Sequence, residues 1–416
     1  MMVNVIESRI GIERAANEAW VAGSDKPEKE TVTVGFMPLT DCASIVMASV
    51  LGFDKKYGIT IVPSKQASWA SIRDKMMQGE LDAVHALYGM VYGAHLGIGS
   101  PQMDMAILMT LNQNGQAITL SNQLVNQGAT DGKSLAKLVK AELQKFNRFT
   151  FAHTFPTGTH AMWLYYWLAA HGIHPLRDVR VVTVPPPQMV SNMAVGNIDG
   201  FCAGEPWNHR AVADNVGITA APSQEIWPGH PEKVLGASAD FVQQNPNTAR
   251  ALTAAVLEAS RWIDASTQNK LKAAEVIAGK AYVNVSANLI VSRILGHYVN
   301  GIGNSRDDPN FMRFHQDGLV NFPYISDGMW FLTQHKRWGL LKEHPDYQAV
   351  ATAINQIDLY RDAAAMAGVS VPKESMRGGV LVDGICWDGS NPEAYADAFA
   401  MRYGTEQKMN SDREVA

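Results

Sequence analysis

Four strings place small or polar residues where the hydrophobic pattern turns helical: Leu39-Thr40-Asp41, Ala67-Ser68-Trp69, Gly158-Thr159-His160 and Gly204-Glu205-Pro206. A helix N-terminus carries about half a positive charge and several N–H groups with no intrahelical partner. Brought together, such ends attract an anion before any side chain is counted. Hydrogen bonds to a charged group are worth about 1.5–3 kcal/mol each, so three or four would hold a small ion at roughly micromolar strength after the costs of closure. One or two placed cations would complete such a site, and Lys233 stands at the end of the turn-like stretch WPGHPEK that starts at Trp227. Each of these residues also has an ordinary reading. Ser and Thr at helix starts serve as caps, Trp69 suits a core, His160 suits a satisfied structural histidine, and Lys233 suits a solvated surface. Singly, none of them decides.

The chain offers little for catalysis. Gly128 to Ser134 (GATDGKS) has three residues between its glycines where a P-loop needs four, and it follows a polar stretch instead of a strand. Gly97-Ile98-Gly99 and Gly301-Ile302-Gly303 lack the third glycine of a dinucleotide fingerprint, and neither GxSxG nor HExxH occurs. His171 and His174 are three apart, but Gly172 and Pro175 break the helix that would aim them together. Cys42, Cys202 and Cys386 are widely separated and read as reduced, mostly buried thiols. No nucleophile, base and orienting group assemble, and no cofactor is implied.

The elements that must position the polar strings fall into two similar units. Residues 31–36 read as a buried strand, followed by a helical pattern to about residue 55, a strand at 59–63, a helix capped by Ser68, and a strand at 81–87. That β-α-β-α-β order favours a parallel sheet covered by helices, and 104–111 and 116–121 look like further strands. The second unit repeats the plan with strands at 149–153, 179–184 and 198–203. Its string Gly196-Asn197-Ile198-Asp199-Gly200 matches Gly79-Glu80-Leu81-Asp82-Ala83 at the same place in the first. A strand from Val234 and five helical stretches then follow. The expected division is a polar lead-in over 1–30, a first lobe of 31–121 with 234–416 that includes a C-terminal helical extension, and a second lobe of 122–233. Crossings near Asn122 and Pro228 would form a hinge, and a ligand would sit beyond the carboxyl ends of the strands.

Composition sets the outer limits. The 416 residues suffice for two cores, and 46% hydrophobic with 18% charged residues is ordinary for a folded soluble chain. A net charge of -5 argues against nucleic acid or an anionic membrane as a direct partner. Residues 1–30 mix acids and bases with no apolar run, so a secretory signal is not expected and the chain reads as cytoplasmic.

Longer strings carry a resemblance. VGFMPLTDCA (34–43), KQASWASIRDK (65–75), GELDAVHALYGMVYG (79–93), LNQNGQAITLS (111–121), FPTGTHAMWLYYWLAAHGI (155–173), GNIDGFCAGEPWN (196–208) and GHPEKVLGAS (229–238) are similar to the nitrate/bicarbonate-binding family of ABC-transporter solute receptors. The similarity runs from about Thr31 to Arg402 and implies a type II periplasmic-binding-protein fold: two α/β lobes, a hinge and a ligand cleft. In nitrate-binding members a Trp, a Gln, a His, a backbone Gly and a Lys hold the ion. The matching positions are Trp69, Gln116 (with Gln113 the alternative), His160, Gly204 and Lys233. The resemblance gives Lys233 a full charge, has His160, Gln116 and the Trp69 indole donate hydrogen bonds, and lets Gly204 bring its N–H close. Bicarbonate-selective relatives carry an acidic residue in place of this Lys and recruit calcium, so Lys233 argues against bicarbonate and against a metal.

Because a leader is not expected, the resemblance points to a cytoplasmic nitrate/nitrite sensor of the NasS type. In that system the ligand-free sensor sequesters an ANTAR-type RNA-binding antiterminator of nitrate-assimilation genes, and the ion releases it. The alternative is the nitrate-binding receptor of an ABC transporter, with the permease as partner. A third reading, an enzyme of thiamine pyrimidine-precursor synthesis on the same fold, would need a phosphate-sized pocket and a reactive histidine, and is disfavoured.

Overall fold

The computed structural model describes residues 26–405, so the lead-in expected over 1–30 lies, up to residue 25, outside the described residues. β1 (Thr31–Phe36), β2 (Thr60–Lys65), β3 (Ala83–Leu87) and β4 (Met105–Thr110) come first. The chain then leaves to form β5 (Gln116–Ser121), β6 (Thr150–His153), β7 (Arg180–Thr183), β8 (Gly200–Gly204) and β9 (Gly217–Pro222), and returns as β10 (Lys233–Ser238). Two five-stranded sheets result, ordered β2-β1-β3-β10-β4 and β7-β6-β8-β5-β9. β1 lies parallel to β2 and β3, as β6 does to β7 and β8. These are the parallel units that the alternating pattern predicts.

One strand in each sheet runs the other way. β10 is antiparallel to β3 and β4, and β5 is antiparallel to β8 and β9. In both cases it is the strand that has just arrived from the other lobe. This revises the expected division. Residues 116–121, assigned to the first lobe from the sequence, belong to the second sheet, so the first crossing is at 111–115, ahead of Asn122. Strand periodicity reports that a strand exists, not which sheet it joins. The second crossing, 223–232, contains Pro228 as expected.

The short repeat has an atomic basis. Gly79 and Gly196 end their helices at φ +73° and +76°, in the left-handed region where glycine is favoured. Three residues later, Asp82 Oδ2 accepts from the Thr33 N–H at 2.8 Å, while the Asp82 N–H donates to Thr33 O at 3.0 Å. Asp199 does the same with Thr150, at 2.7 Å in both bonds. Each aspartate thus ties the turn before the third strand of its β-α-β-α-β unit, β3 or β8, to the first strand of that unit, β1 or β6.

Helix Pro246–Asp264 packs on helix Ala43–Val50 and on helix Ile357–Ala367, forming a core with the apolar side of β1 and β2. This is the expected return to the first lobe. The C-terminal part is not confined there, however. Helix Ile325–Arg337 stacks Phe331 on Tyr88 of the first lobe at 5.2 Å and Trp330 on Trp163 of the second at 4.6 Å. His335 Nε2 lies 2.8 Å from Thr157 O. Residues beyond it cross the same junction: Arg377 Nη1 donates to Gly229 O at 3.0 Å, Val382 N to Ile226 O at 2.8 Å, and the Tyr166 hydroxyl to Asp383 Oδ1 at 2.9 Å. The C-terminal extension is a bridge over both lobes.

The stretch set aside as a failed P-loop is a helix start. Asp131 Oδ1 accepts from Ser134 N at 2.7 Å and Ser134 Oγ accepts from Asp131 N at 3.1 Å, a reciprocal cap for helix Gly132–Leu143. The cysteines are free, with Cys42 and Cys202 buried and Cys386 exposed. Among the described residues no helix is long and apolar enough to cross a membrane.

Candidate functional site

The lobes meet along the strings first singled out. The Thr40 N–H donates to Glu205 O at 2.8 Å, and the Trp207 indole to Pro38 O at 3.1 Å, both across the cleft. Ser68 caps helix Trp69–Met77 by accepting from Ser71 N at 3.1 Å, which sets Trp69 at the first helical position. Gly158 stands at the N-cap of helix Thr159–Ala170, so His160 lies in its first turn. Gln116 and Gly204 are opposite one another in the β5–β8 ladder. A Cβ on Gly204 would come within 3.3 Å of Leu39 Cδ2 and 3.4 Å of Asp41 Oδ2, both in the facing lobe, so glycine lets the two lobes approach.

Lys233, the first residue of β10, is the centre of the cluster, and it is fully buried. Its ammonium lies 2.9 Å from Asp41 Oδ2, bonds Glu232 Oε1, and stands 5.7 Å from the centre of the Trp69 ring. Glu232 Oε1 also accepts from Thr159 Oγ1 at 2.8 Å, and Oε2 from the Trp163 indole at 3.3 Å. His160 Nε2 is 3.4 Å from Glu232 Oε1, while its Nδ1 pairs with Thr154 Oγ1 at 2.5 Å. His85 Nε2 sits 2.9 Å from Asp41 Oδ1, near but poorly aligned for a hydrogen bond.

Burial pushes Lys233 down, but Asp41 and Glu232 outweigh it and hold its pKa above the ordinary lysine value. Burial raises Asp41, yet Lys233 and then His85 bring it below the usual aspartate range. Glu232 is pushed up to about 7 by burial, which Lys233 opposes only in part. Burial, and then the charge on Lys233, takes His160 well down, so it is neutral at pH 7.

Several buried polar atoms in this cluster have no hydrogen-bond partner among the described residues: Trp69 Nε1, both side-chain amide atoms of Gln116, His160 Nε2 and Thr40 Oγ1. Buried donors without partners are uncommon and costly. The ordinary readings therefore fail in part. His160 is satisfied at one nitrogen only, Trp69 is core with an unpaired N–H, and Lys233 is far from solvent.

The structure brings Trp69, Gln116, His160, Gly204 and Lys233 together. Gln113, the alternative, turns elsewhere: its Oε1 lies 3.6 Å from where a Cβ on Gly229 would stand. Sequence reasoning placed Asp41 and Thr159 in the helix-start strings without pairing them to Lys233 or Glu232, and it missed Glu232 and His85. It also gave Lys233 an uncompensated charge, whereas two carboxyl groups share it. The adjacent Glu232-Lys233 pair immediately before an apolar strand was the available signal.

A profile of the NMT1-like family matches residues 25–278. The chain belongs to the NMT1-like family. The nitrate/nitrite binding protein NrtA of Nostoc sp. strain PCC 7120 is 38% identical over 404 residues, spanning 93% of this chain and 90% of the relative. The bicarbonate-binding protein CmpA of Synechococcus elongatus is 31% identical over 406 residues, with 92% and 89% covered. The crystal structure of the periplasmic nitrate-binding protein NrtA from Synechocystis PCC 6803 superposes with a TM-score of 0.85 at 36% identity, covering 90% of this chain and 99% of that one. The resemblance read from the motifs holds, and with it the two-lobed periplasmic-binding-protein fold.

Proposed function

We propose that the protein is the nitrate- or nitrite-binding receptor of an ABC-type import system, holding the ion between its lobes. The observation that carries this is that unpartnered buried donors, Trp69 Nε1 and His160 Nε2, stand beside Lys233 and Glu232, with the unpartnered Gln116 amide on the residue opposite Gly204. Charge-assisted bonds from such donors supply affinity and orientation without chemistry, so the role is binding and not catalysis. Identity to relatives named as nitrate-binding exceeds identity to one named as bicarbonate-binding, 38% against 31%. The ammonium of Lys233 at the centre of the cluster agrees with that order.

Those relatives also favour the transport receptor over the cytoplasmic sensor expected from the sequence. Titration calorimetry against nitrate, nitrite, bicarbonate and chloride tests the reading. Binding near micromolar strength is expected for nitrate or nitrite alone, and silence with both would remove its basis.

A further inference from the structure

The charges in the buried cluster do not suit an anion as they stand. One ammonium, Lys233, is shared by two carboxyl groups, Asp41 and Glu232, and all three are fully buried. The other titratable groups facing Glu232 give it no compensation. Burial pushes His85 and His160 down and His230 to about 3, so these histidines, from β3, from helix Thr159–Ala170 and from the crossing, are neutral. Cys202 on β8 stays protonated, its thiol raised by burial and then by Glu232. Thr159 and Trp163 offer neutral donors. With both carboxyls ionised, the cluster carries one net negative charge, and a bound monoanion would double it away from water.

We propose that Glu232 determines specificity here: a monovalent oxyanion binds together with one proton, taken from solvent onto the Glu232 carboxylate. This rests on the oxyanion reading above. Both carboxyl groups face an unpartnered histidine Nε2, but geometry selects Glu232 over Asp41 because Glu232 also bonds Thr159 and Trp163 of the second lobe and so spans the cleft. Asp41 is held ionised by Lys233, whereas Glu232 already lies at about 7. Protonation turns the carboxylate into a neutral acid and releases one Lys233 N–H from full pairing, so the ammonium can face the oxyanion. A divalent oxyanion would bring a second charge with no second carboxylate so easily protonated. The site therefore rejects sulfate on charge.

The sign of the pH dependence follows. Below the free-state value of about 7, Glu232 is already protonated, and binding moves no proton. Above it, up to the raised value in the complex, each anion takes up one proton, and affinity falls about tenfold per pH unit.

Calorimetry of the whole protein with sodium nitrate and sodium nitrite, at pH 6 and pH 8 in two buffers of different ionisation enthalpy, reads this directly. About one proton taken up at pH 8 and close to none at pH 6 is the expected result. Binding at pH 8 with no buffer dependence overturns the proposal, and so does sulfate competing as strongly as nitrate. Glu232→Gln should flatten the pH dependence; proton uptake persisting in it overturns the assignment to Glu232. Should that variant not fold, the wild-type buffer comparison decides alone. No heat with either ion at any pH overturns the oxyanion reading, and this proposal falls with it.

Discussion

At Lys233 a substitution has two effects that need separating. Its ammonium serves the candidate site, and it also neutralises Asp41 and Glu232, at 0% exposure for all three. Removing one partner of a buried ion pair costs about 3–5 kcal/mol, because the remaining charge is left without compensation. Lys233→Met should therefore abolish nitrate binding in calorimetry and also lower unfolding stability in urea by about that amount. Adding Asp41→Asn should restore part of the stability but none of the binding, and the double-mutant cycle measures the coupling. Lys233→Glu is the poorer test, since it would crowd three carboxylates together. Much of this was legible in the sequence, and the reason is specific. Trp69 and His160 follow turn or capping residues that fix where their helices begin, and Gly204 closes an apolar strand, β8. The pairing of Lys233 with Asp41 was not legible, because it spans 192 positions and depends on β10 returning to the first sheet beside β3.

The elements place the site by a device used twice. Asp82 accepts a backbone N–H from β1 and Asp199 one from β6, at 2.8 and 2.7 Å. Losing such an acceptor leaves a strand N–H short of a partner, at a cost of about 1–3 kcal/mol. Asp82→Ala and Asp199→Ala should each destabilise by that order. Hydrogen exchange should show the loss concentrated at Thr33 and its neighbours in one variant and at Thr150 in the other. The matching strings GELDA and GNIDG made this visible in advance, since a local turn is written in consecutive residues. The antiparallel placement of β5 and β10 was not, because strand direction is set by where the chain comes from. Helices Tyr347–Ile354 and Ile357–Ala367 also escaped the pattern reading. They follow each other so closely that their periodicities interrupt one another.

For the whole molecule, burial of the cluster means that an ion reaches Lys233 only when the lobes part, so the C-terminal bridge bears on how fast it leaves. The Tyr166 hydroxyl contacts both carboxylate oxygens of Asp383 at 2.9 Å, joining the second lobe to that bridge. Tyr166→Phe deletes the contact and keeps the ring. At about 0.5–1.5 kcal/mol, the loss should speed ion release roughly two- to tenfold, measured by stopped-flow tryptophan fluorescence, with little change in the association rate. The insertion of β10 between β3 and β4 has a consequence of another kind. The strands of the second sheet are contiguous in the chain, so a ribosome has delivered all of them by residue 222. The first sheet stays split until residue 238 emerges, although its other four strands were made first. Vectorial synthesis therefore finishes the later lobe before the earlier one. Lys233 arrives on the strand that closes the gap, and the last step in assembling the first sheet is also the step that installs its cation.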